Sequence, residues 1–103
     1  MHRVALVDNP ASGLSTSRRN QTVQEARQAL QSAGIEVESM TIDGPGSGRA
    51  LALEAVSRGC DSIIVCGGDG TVHEVLQSLV GTSVALGVVP FGTANYVDGY
   101  MVV

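Results

Sequence analysis

The segment from Ile63 to Leu79 reads IIVCGGDGTVHEVLQSL, and this stretch decides the fold class. Its first four residues are all apolar and predict a buried strand. A helix is predicted next, because apolar residues recur on one helical face at Val72, Val75, Leu76 and Leu79. The glycine-rich turn between the two, Gly67 to Thr71, is typical of sites where backbone N–H groups and a helix dipole bind phosphate.

Asp69 is the unusual member of this turn. A carboxylate in a phosphate-binding turn repels the ligand unless it binds Mg²⁺ or accepts a proton from a nucleophile. Asp69 could also cap the following helix, and capping is compatible with a chemical role. The residue therefore indicates phosphoryl transfer more than simple dinucleotide binding.

The rest of the chain alternates strands and helices. Strands are predicted at residues 3–7, 35–42, 63–66 and 84–89, and helices at residues 18–33, 49–58 and 72–79. The inward-facing residues predicted for the first two helices are Val23, Ala26, Leu30 and Ala33, then Ala52, Ala55 and Val56. Right-handed crossovers between such strands predict an α/β fold, an open three-layer parallel sheet with helices on both faces. Ligands of such sheets bind beyond the carboxyl ends of the strands, where all four following loops converge.

Composition excludes several classes of function. The chain has 103 residues and a net charge of −4, and its six basic residues are all arginine. Without clustered basic residues, we expect no nucleic-acid groove and no patch for an anionic membrane. The absence of lysine excludes a P-loop lysine and lysine Schiff-base chemistry. No apolar run approaches the roughly 18 residues of a membrane-spanning helix.

Two cysteines occur in the sequence, Cys60 and Cys66, and neither belongs to a CxxC pair or has a histidine at metal-binding spacing. Because no signal peptide is evident, we expect reduced thiols and a cytoplasmic protein. Cys66, inside the predicted strand, is expected to pack as a core residue.

Other motifs with a known chemistry fail. A GxGxxG fingerprint is broken because His73 stands where the third glycine belongs, and an HExxH zinc motif is broken by Gln77. Metal ligands therefore remain unknown from the sequence.

Three segments together resemble the diacylglycerol kinase catalytic domain family. They are NPASG at residues 9–13, GGDGTVHEV at residues 67–75 and PFGTAN at residues 90–95. This family includes bacterial lipid kinases and sphingosine kinases, and its nucleotide-binding domain is related to NAD kinase and 6-phosphofructokinase. The glycine motif alone would be shared with NAD kinases, whereas the other two motifs make the lipid-kinase resemblance specific. The resemblance covers about residues 3–95 and implies a nucleotide-binding domain of the same fold at residues 1–95.

The resemblance implies transfer of the ATP γ-phosphate to a lipid hydroxyl, such as that of diacylglycerol, with Mg²⁺ as cofactor. Asp69 would be the catalytic base or a metal partner, although in bacterial members an aspartate of the second domain usually has the base role. The residues that would contact the nucleotide are Asn9, Thr41, Gly67, Gly68, Asp69, Gly70, Thr71, Val72, His73, Glu74 and Thr93.

Some of these residues also have simpler interpretations. His73 is expected to face solvent on its helix, and Glu74 either supports the turn through backbone N–H groups or contacts the ligand. The pair Arg18-Arg19 either begins a solvated helix or reaches phosphates, since guanidinium groups suit them.

The sequence departs from the family after Asn95. We expect residues 96–103 to be a divergent tail, with the family's C-terminal β-sandwich domain absent. In the family that domain supplies Mg²⁺-binding carboxylates, the lipid cleft, any peripheral membrane contact and, in bacterial members, the catalytic base. We therefore expect this chain alone to be inactive. The alternatives are a non-catalytic nucleotide-binding fragment, a chain that works with a separate partner, or an NAD-kinase-like phosphotransferase. The face left uncovered predicts weak stability or self-association.

Overall fold

The computed structural model describes residues 1–9, 16–44, 46–67, 69–90 and 101–102, with the backbone alone at residues 16, 69, 90, 101 and 102. Strands and helices alternate along the chain. They are β1 (Arg3–Asp8), α1 (Thr16–Ser32), β2 (Glu36–Thr41), α2 (Ser47–Ser57), β3 (Ser62–Gly67), α3 (Asp69–Leu79), β4 (Ala85–Pro90) and β5 (Met101–Val102).

The strands form one sheet with the order β2-β1-β3-β4-β5. The first four strands are parallel, and β5 pairs with β4 in the antiparallel direction. The predicted open parallel α/β sheet is therefore confirmed. The prediction missed β5, because a strand of two residues is too short to carry a periodic signal.

Alternate residues of β1 belong to two separate cores. Ala5 and Val7 pack in the larger core with α2 and α3, through residues such as Ala52 and Val75. Leu6 points to the other face, where Val23 of α1 packs. This central strand is buried on both faces, as strands of parallel sheets are. Helices on both faces of the sheet, the predicted three-layer arrangement, are confirmed.

The helices differ from their predictions mainly at their first residues. The structure begins α1 at Thr16, α2 at Ser47 and α3 at Asp69, each two or three residues earlier than predicted. The predicted ends are confirmed: Gly34 and Gly59 follow α1 and α2 with φ of 79° and 81°, a left-handed backbone that glycine adopts without strain.

Three predicted inward-facing residues, Val56, Leu76 and Ala33, are exposed. Val56 is 37% exposed and Leu76 is 38% exposed. In α3 the buried face is centred on Thr71, Val75 and Leu79, so that Leu76 lies at its edge. The apolar pattern missed this row because its first member, Thr71, is polar. In α2 the buried residues are Gly48, Ala52 and Ala55, so that Val56 likewise lies at the edge of the buried face.

On the α1 side, Val23, Ala26 and Leu30 are half-buried, whereas Ala33 lies beyond the end of α1 and is exposed. A predominantly apolar groove of about 360 Å³ remains between α1 and the β3–β4 part of the sheet. Its lining includes Ala26, Ala29, Leu30, Ile64, Gly87 and Val89. The described residues therefore cover the sheet less completely on this face than on the face of α2 and α3.

Cys60 and Cys66 are both buried free thiols. Cys66 lies in the core as predicted, and burial raises the pKa of its thiol to about 12. Among the described residues, no helix combines the length and the apolar character needed to cross a bilayer.

Candidate functional site

The carboxyl ends of three parallel strands meet at one edge of the sheet. The register places Asp8, the last residue of β1, between Thr41 of β2 and Cys66 of β3. Backbone hydrogen bonds continue past the strand ends, since the Ile42 N–H donates to the Asp8 carbonyl at 2.7 Å. The loops that follow β1, β2 and β3 therefore begin side by side, as predicted for a ligand-binding edge.

Asn9 links the first of these loops to the start of α3. Its backbone N–H donates to the Cys66 carbonyl at 3.3 Å. Its side-chain Nδ2 donates to the Thr71 hydroxyl oxygen at 2.7 Å. Thr71 is only 5% exposed, and this bond gives its buried hydroxyl oxygen a donor. The structure thus brings together two residues that were predicted to contact a nucleotide.

The space around Gly67 differs from that around Gly70. A Cβ at Gly67 would lie 3.4 Å from Asn9 Cβ and 3.9 Å from Thr71 Oγ1, which are ordinary van der Waals distances. A Cβ at Gly70 would meet no other described part of the chain within 4 Å, and Gly70 is exposed. Packing of the described residues therefore does not require the glycine at 70. Its absent side chain leaves the start of α3 accessible, at the positive end of the helix dipole.

Asp69 is the first residue of α3 rather than the middle of a loop. A carboxylate at the start of a helix is electrostatically favourable. The side chain of Asp69 lies outside the described residues, as do Gly68 and Thr93 entirely. The roles predicted for these three residues stay predictions.

The other predicted residues of α3 point in three directions. Val72 is half-buried and packs against the larger core. His73 is exposed, in agreement with the solvent-facing interpretation. Glu74 accepts a hydrogen bond from the Gly46 backbone N–H through Oε1 at 2.9 Å. This backbone N–H belongs to the loop after β2, whereas the sequence predicted support of the glycine-rich turn or contact with the ligand.

The loop after β2 is held by a residue that the sequence analysis missed. Thr41 is exposed at the end of β2, and the chain then turns into α2. The Ser47 hydroxyl accepts from the Asp43 backbone N–H at 3.0 Å and donates to the Gly44 carbonyl at 2.7 Å. A serine that follows a glycine-rich turn and begins a helix is the available sequence signal for such a bond.

A second missed feature is an ion pair behind the first loop. Arg19 Nε lies 3.5 Å from Asp8 Oδ1, with side-chain exposures of 12% and 19%. Burial raises the pKa of the Asp8 carboxyl, and the Arg19 charge opposes this rise. Arg18 is exposed. Of the two arginines, Arg19 is therefore held at the end of β1, whereas Arg18 matches a solvated helix start.

The part of the chain that the structure describes contains no group of three or more His, Cys, Asp or Glu residues that could hold a metal ion. What this edge provides is a set of backbone N–H groups and hydroxyls around an open helix start, an arrangement that suits a phosphate group.

The fold is an α/β domain whose candidate site lies at the carboxyl edge of its parallel strands, and comparison with known proteins identifies its family. The model of the diacylglycerol kinase catalytic domain matches residues 3–101, and the chain belongs to this family. The match ends six residues beyond the range predicted from the motifs, within the tail.

Curated relatives and a solved structure agree with this assignment. The chain is 36% identical over 93 residues to a diacylglycerol kinase of Mycobacterium tuberculosis, covering 90% of the chain and 29% of that relative. It is 34% identical over 97 residues to a diacylglycerol kinase of Bacillus subtilis, covering 92% of the chain and 31% of that relative. A crystal structure of a diacylglycerol kinase from Bacillus anthracis matches with a TM-score of 0.74 at 28% identity, covering 91% of the chain and 35% of that structure.

These comparisons confirm the predicted fold and the predicted family. They also show that the chain spans about a third of the length of the relatives it matches.

Proposed function

We propose that this chain is the nucleotide-binding part of a lipid kinase that transfers the γ-phosphate of ATP to a lipid hydroxyl such as that of diacylglycerol. The observation that carries the proposal is the joined pair Asn9 and Thr71 beside the open start of α3 at Gly70. Family membership supports the same reaction class.

Phosphoryl transfer requires positioning and charge neutralisation more than covalent chemistry from the protein. In the proposed reaction, the acceptor hydroxyl oxygen forms a bond to the γ-phosphorus while the bond from that phosphorus to the β-bridging oxygen breaks. ADP leaves, and the hydroxyl proton passes to a base. The N–H groups at the start of α3 would bind the phosphate oxygens that carry the negative charge.

Mg²⁺ would supply further neutralisation of the phosphate charge. Asp69, at the first position of α3, is the residue we propose as a metal partner or as the base. Because the described residues contain no group that could hold a metal by itself, we expect further ligands from a second domain of the kind found in the family.

A second candidate function is nucleotide binding without catalysis by this chain alone. It is favoured by the length comparison, since the chain spans only 29% and 31% of the curated relatives. The two candidates share the ATP site and differ in whether transfer occurs.

The experiment is a transfer assay with γ-labelled ATP and Mg²⁺, with diacylglycerol and NAD as parallel acceptors and Asp69→Ala as the matched variant. Label in the lipid, lost in Asp69→Ala while that variant stays folded, supports the kinase. Label in NAD instead would overturn the lipid-kinase proposal. Binding of ATP with no transfer to either acceptor would assign the second candidate to this chain.

A further inference from the structure

We propose that Glu74 is a positioning residue whose carboxylate holds the β2–α2 loop, described at residues 42–44 and 46, against α3. The loop so held follows Thr41, one of the residues predicted to contact the nucleotide. The effect on ligand binding rests on the proposed function, whereas the contact itself does not.

The first observation is the bond between Glu74 and the beginning of α2. Glu74 Oε1 accepts from the Gly46 N–H at 2.9 Å across 28 residues of sequence. Gly46 is the N-cap residue of α2, has φ of 83°, and provides no side-chain cap. The negative charge of a residue in α3 therefore lies at the positive end of α2, where it is favourable.

The second observation is the space at Gly48. A Cβ there would stand 2.6 Å from Glu74 Oε2 and 3.1 Å from Glu74 Cβ, distances that real Cβ atoms avoid or rarely show. Gly48 is buried, and its backbone is not left-handed. The glycine at this position is therefore explained by the Glu74 side chain lying over it.

The third observation is the position of Glu74 along α3. It lies three residues after Thr71, almost one helical turn further. Thr71 accepts a hydrogen bond from Asn9 in the loop after β1, and Glu74 accepts one from the β2–α2 loop. One segment of α3 thus sets the positions of two loops at the carboxyl edge of the sheet.

The chemistry of the contact distinguishes positioning from ligand binding. A glutamine keeps a side-chain oxygen that accepts the Gly46 N–H, although it removes the charge. A positioning role therefore tolerates Glu74→Gln, whereas a direct role at Mg²⁺ would not. Alanine removes the acceptor in either case.

The direct test is amide hydrogen exchange at Gly46, measured by NMR in the ligand-free chain. We expect Glu74→Ala to speed exchange at Gly46 by at least about tenfold, as loss of a hydrogen bond to a charged group implies, and Glu74→Gln to stay within about threefold of the unmodified chain. Gln77→Ala, an exposed substitution on the same helix, is the matched control and should leave Gly46 unchanged. Unchanged exchange at Gly46 in Glu74→Ala would overturn the proposal.

Titration of the same variants with ATP and Mg²⁺ tests the functional consequence. We expect roughly tenfold weaker binding in Glu74→Ala and nearly unchanged binding in Glu74→Gln. Equal losses in both variants would overturn the positioning role, because the charge itself would then be needed. If the unmodified chain bound no ATP, the proposed function would fail, and the exchange rates would still decide the contact.

The Gly48→Ala substitution tests the same contact by changing the residue against which the Glu74 side chain lies. Its new methyl group should displace the Glu74 carboxylate and speed exchange at Gly46 as Glu74→Ala does. In the Glu74→Ala background, the same substitution should have a clearly smaller effect, because the carboxylate is already gone. Additive effects of the two substitutions would contradict the proposal, and the Glu74 variants alone remain decisive if Gly48→Ala does not fold.

Discussion

The side-chain amide of Asn9 donates a hydrogen bond to the hydroxyl of Thr71 at 2.7 Å, although 62 residues separate them in the chain. Asn9 follows β1 directly, and Thr71 lies in the first turn of α3. The bond therefore fixes the start of the first loop relative to the helix that begins beside β3. A site whose parts are held in place before the ligand arrives loses less free energy in ordering them.

We predict that Asn9→Ala lowers the free energy of unfolding by about 1 kcal/mol, because the buried Thr71 hydroxyl loses its donor. Thr71→Val should lower it by a similar or larger amount, since it leaves the Asn9 amide without this acceptor. Urea unfolding measures both changes. Thr71→Ser, which keeps the hydroxyl, is the control for loss of the bond.

The double variant distinguishes this bond from general effects of the substitutions. If the two side chains act through one hydrogen bond, Asn9→Ala adds little once Thr71→Val is present. Fully additive losses would show that the bond contributes nothing to stability.

Much of the fold could be predicted because its signals are local. The run from Ile63 to Cys66 is buried apart from the half-buried Ile64, and the glycines at 34 and 59 end their helices as expected. The apolar pattern could not locate the centre of the buried face of α2 and α3, so Val56 and Leu76 lie at its edge.

The contacts of the site were harder to predict because they join distant segments. No spacing rule indicates that Glu74 accepts from Gly46 or that Arg19 pairs with Asp8. Such partners depend on which loops the topology brings together. The motifs indicated correctly that Asn9 and Thr71 belong to one edge of the sheet, whereas the bond between them required the structure.

Asp61 precedes β3, at the amino ends of the strands, and makes contacts there that depend on pH. Its carboxylate accepts from the His2 N–H at 2.6 Å, the Arg3 N–H at 3.2 Å and the Ser62 hydroxyl at 3.0 Å. The hydrogen bond from the His2 backbone is the main cause that holds the pKa of Asp61 below its usual value, with the other two bonds acting in the same direction. Because the pKa is lowered in the folded state, this stabilisation is complete above the unfolded pKa, about 4, and is lost as the pH falls through the folded pKa.

We therefore predict that Asp61→Asn lowers the melting temperature at neutral pH and that the difference from the unmodified chain narrows as the pH falls toward 3. Thermal melts across this range measure the effect, with Glu25→Gln as a control at an exposed carboxylate. A difference that stayed constant with pH would contradict the assigned role of the carboxylate.

We expect self-association to occur through the apolar groove between α1 and the β3–β4 part of the sheet. Its lining is predominantly apolar, and apolar patches of this kind usually mark contact surfaces. We predict that the chain associates with itself as its concentration rises, and that Ala29→Glu at the groove suppresses this association.

Sedimentation velocity over a wide range of concentrations measures the association. Val80→Glu is the matched control, since Val80 is 78% exposed on the α3 side and does not line the groove. A stable monomer at every concentration, or equal suppression by both variants, would contradict association through the groove.

The central claim is that the start of α3, with its open Gly70 and its first residue Asp69, binds the phosphates of ATP. Calorimetric titration of the chain with ATP and Mg²⁺, with Asp69→Ala as the paired variant, tests this claim most directly. We predict saturable binding that weakens in the folded variant. A folded chain that binds no ATP, or one whose binding is unchanged by Asp69→Ala, would contradict it.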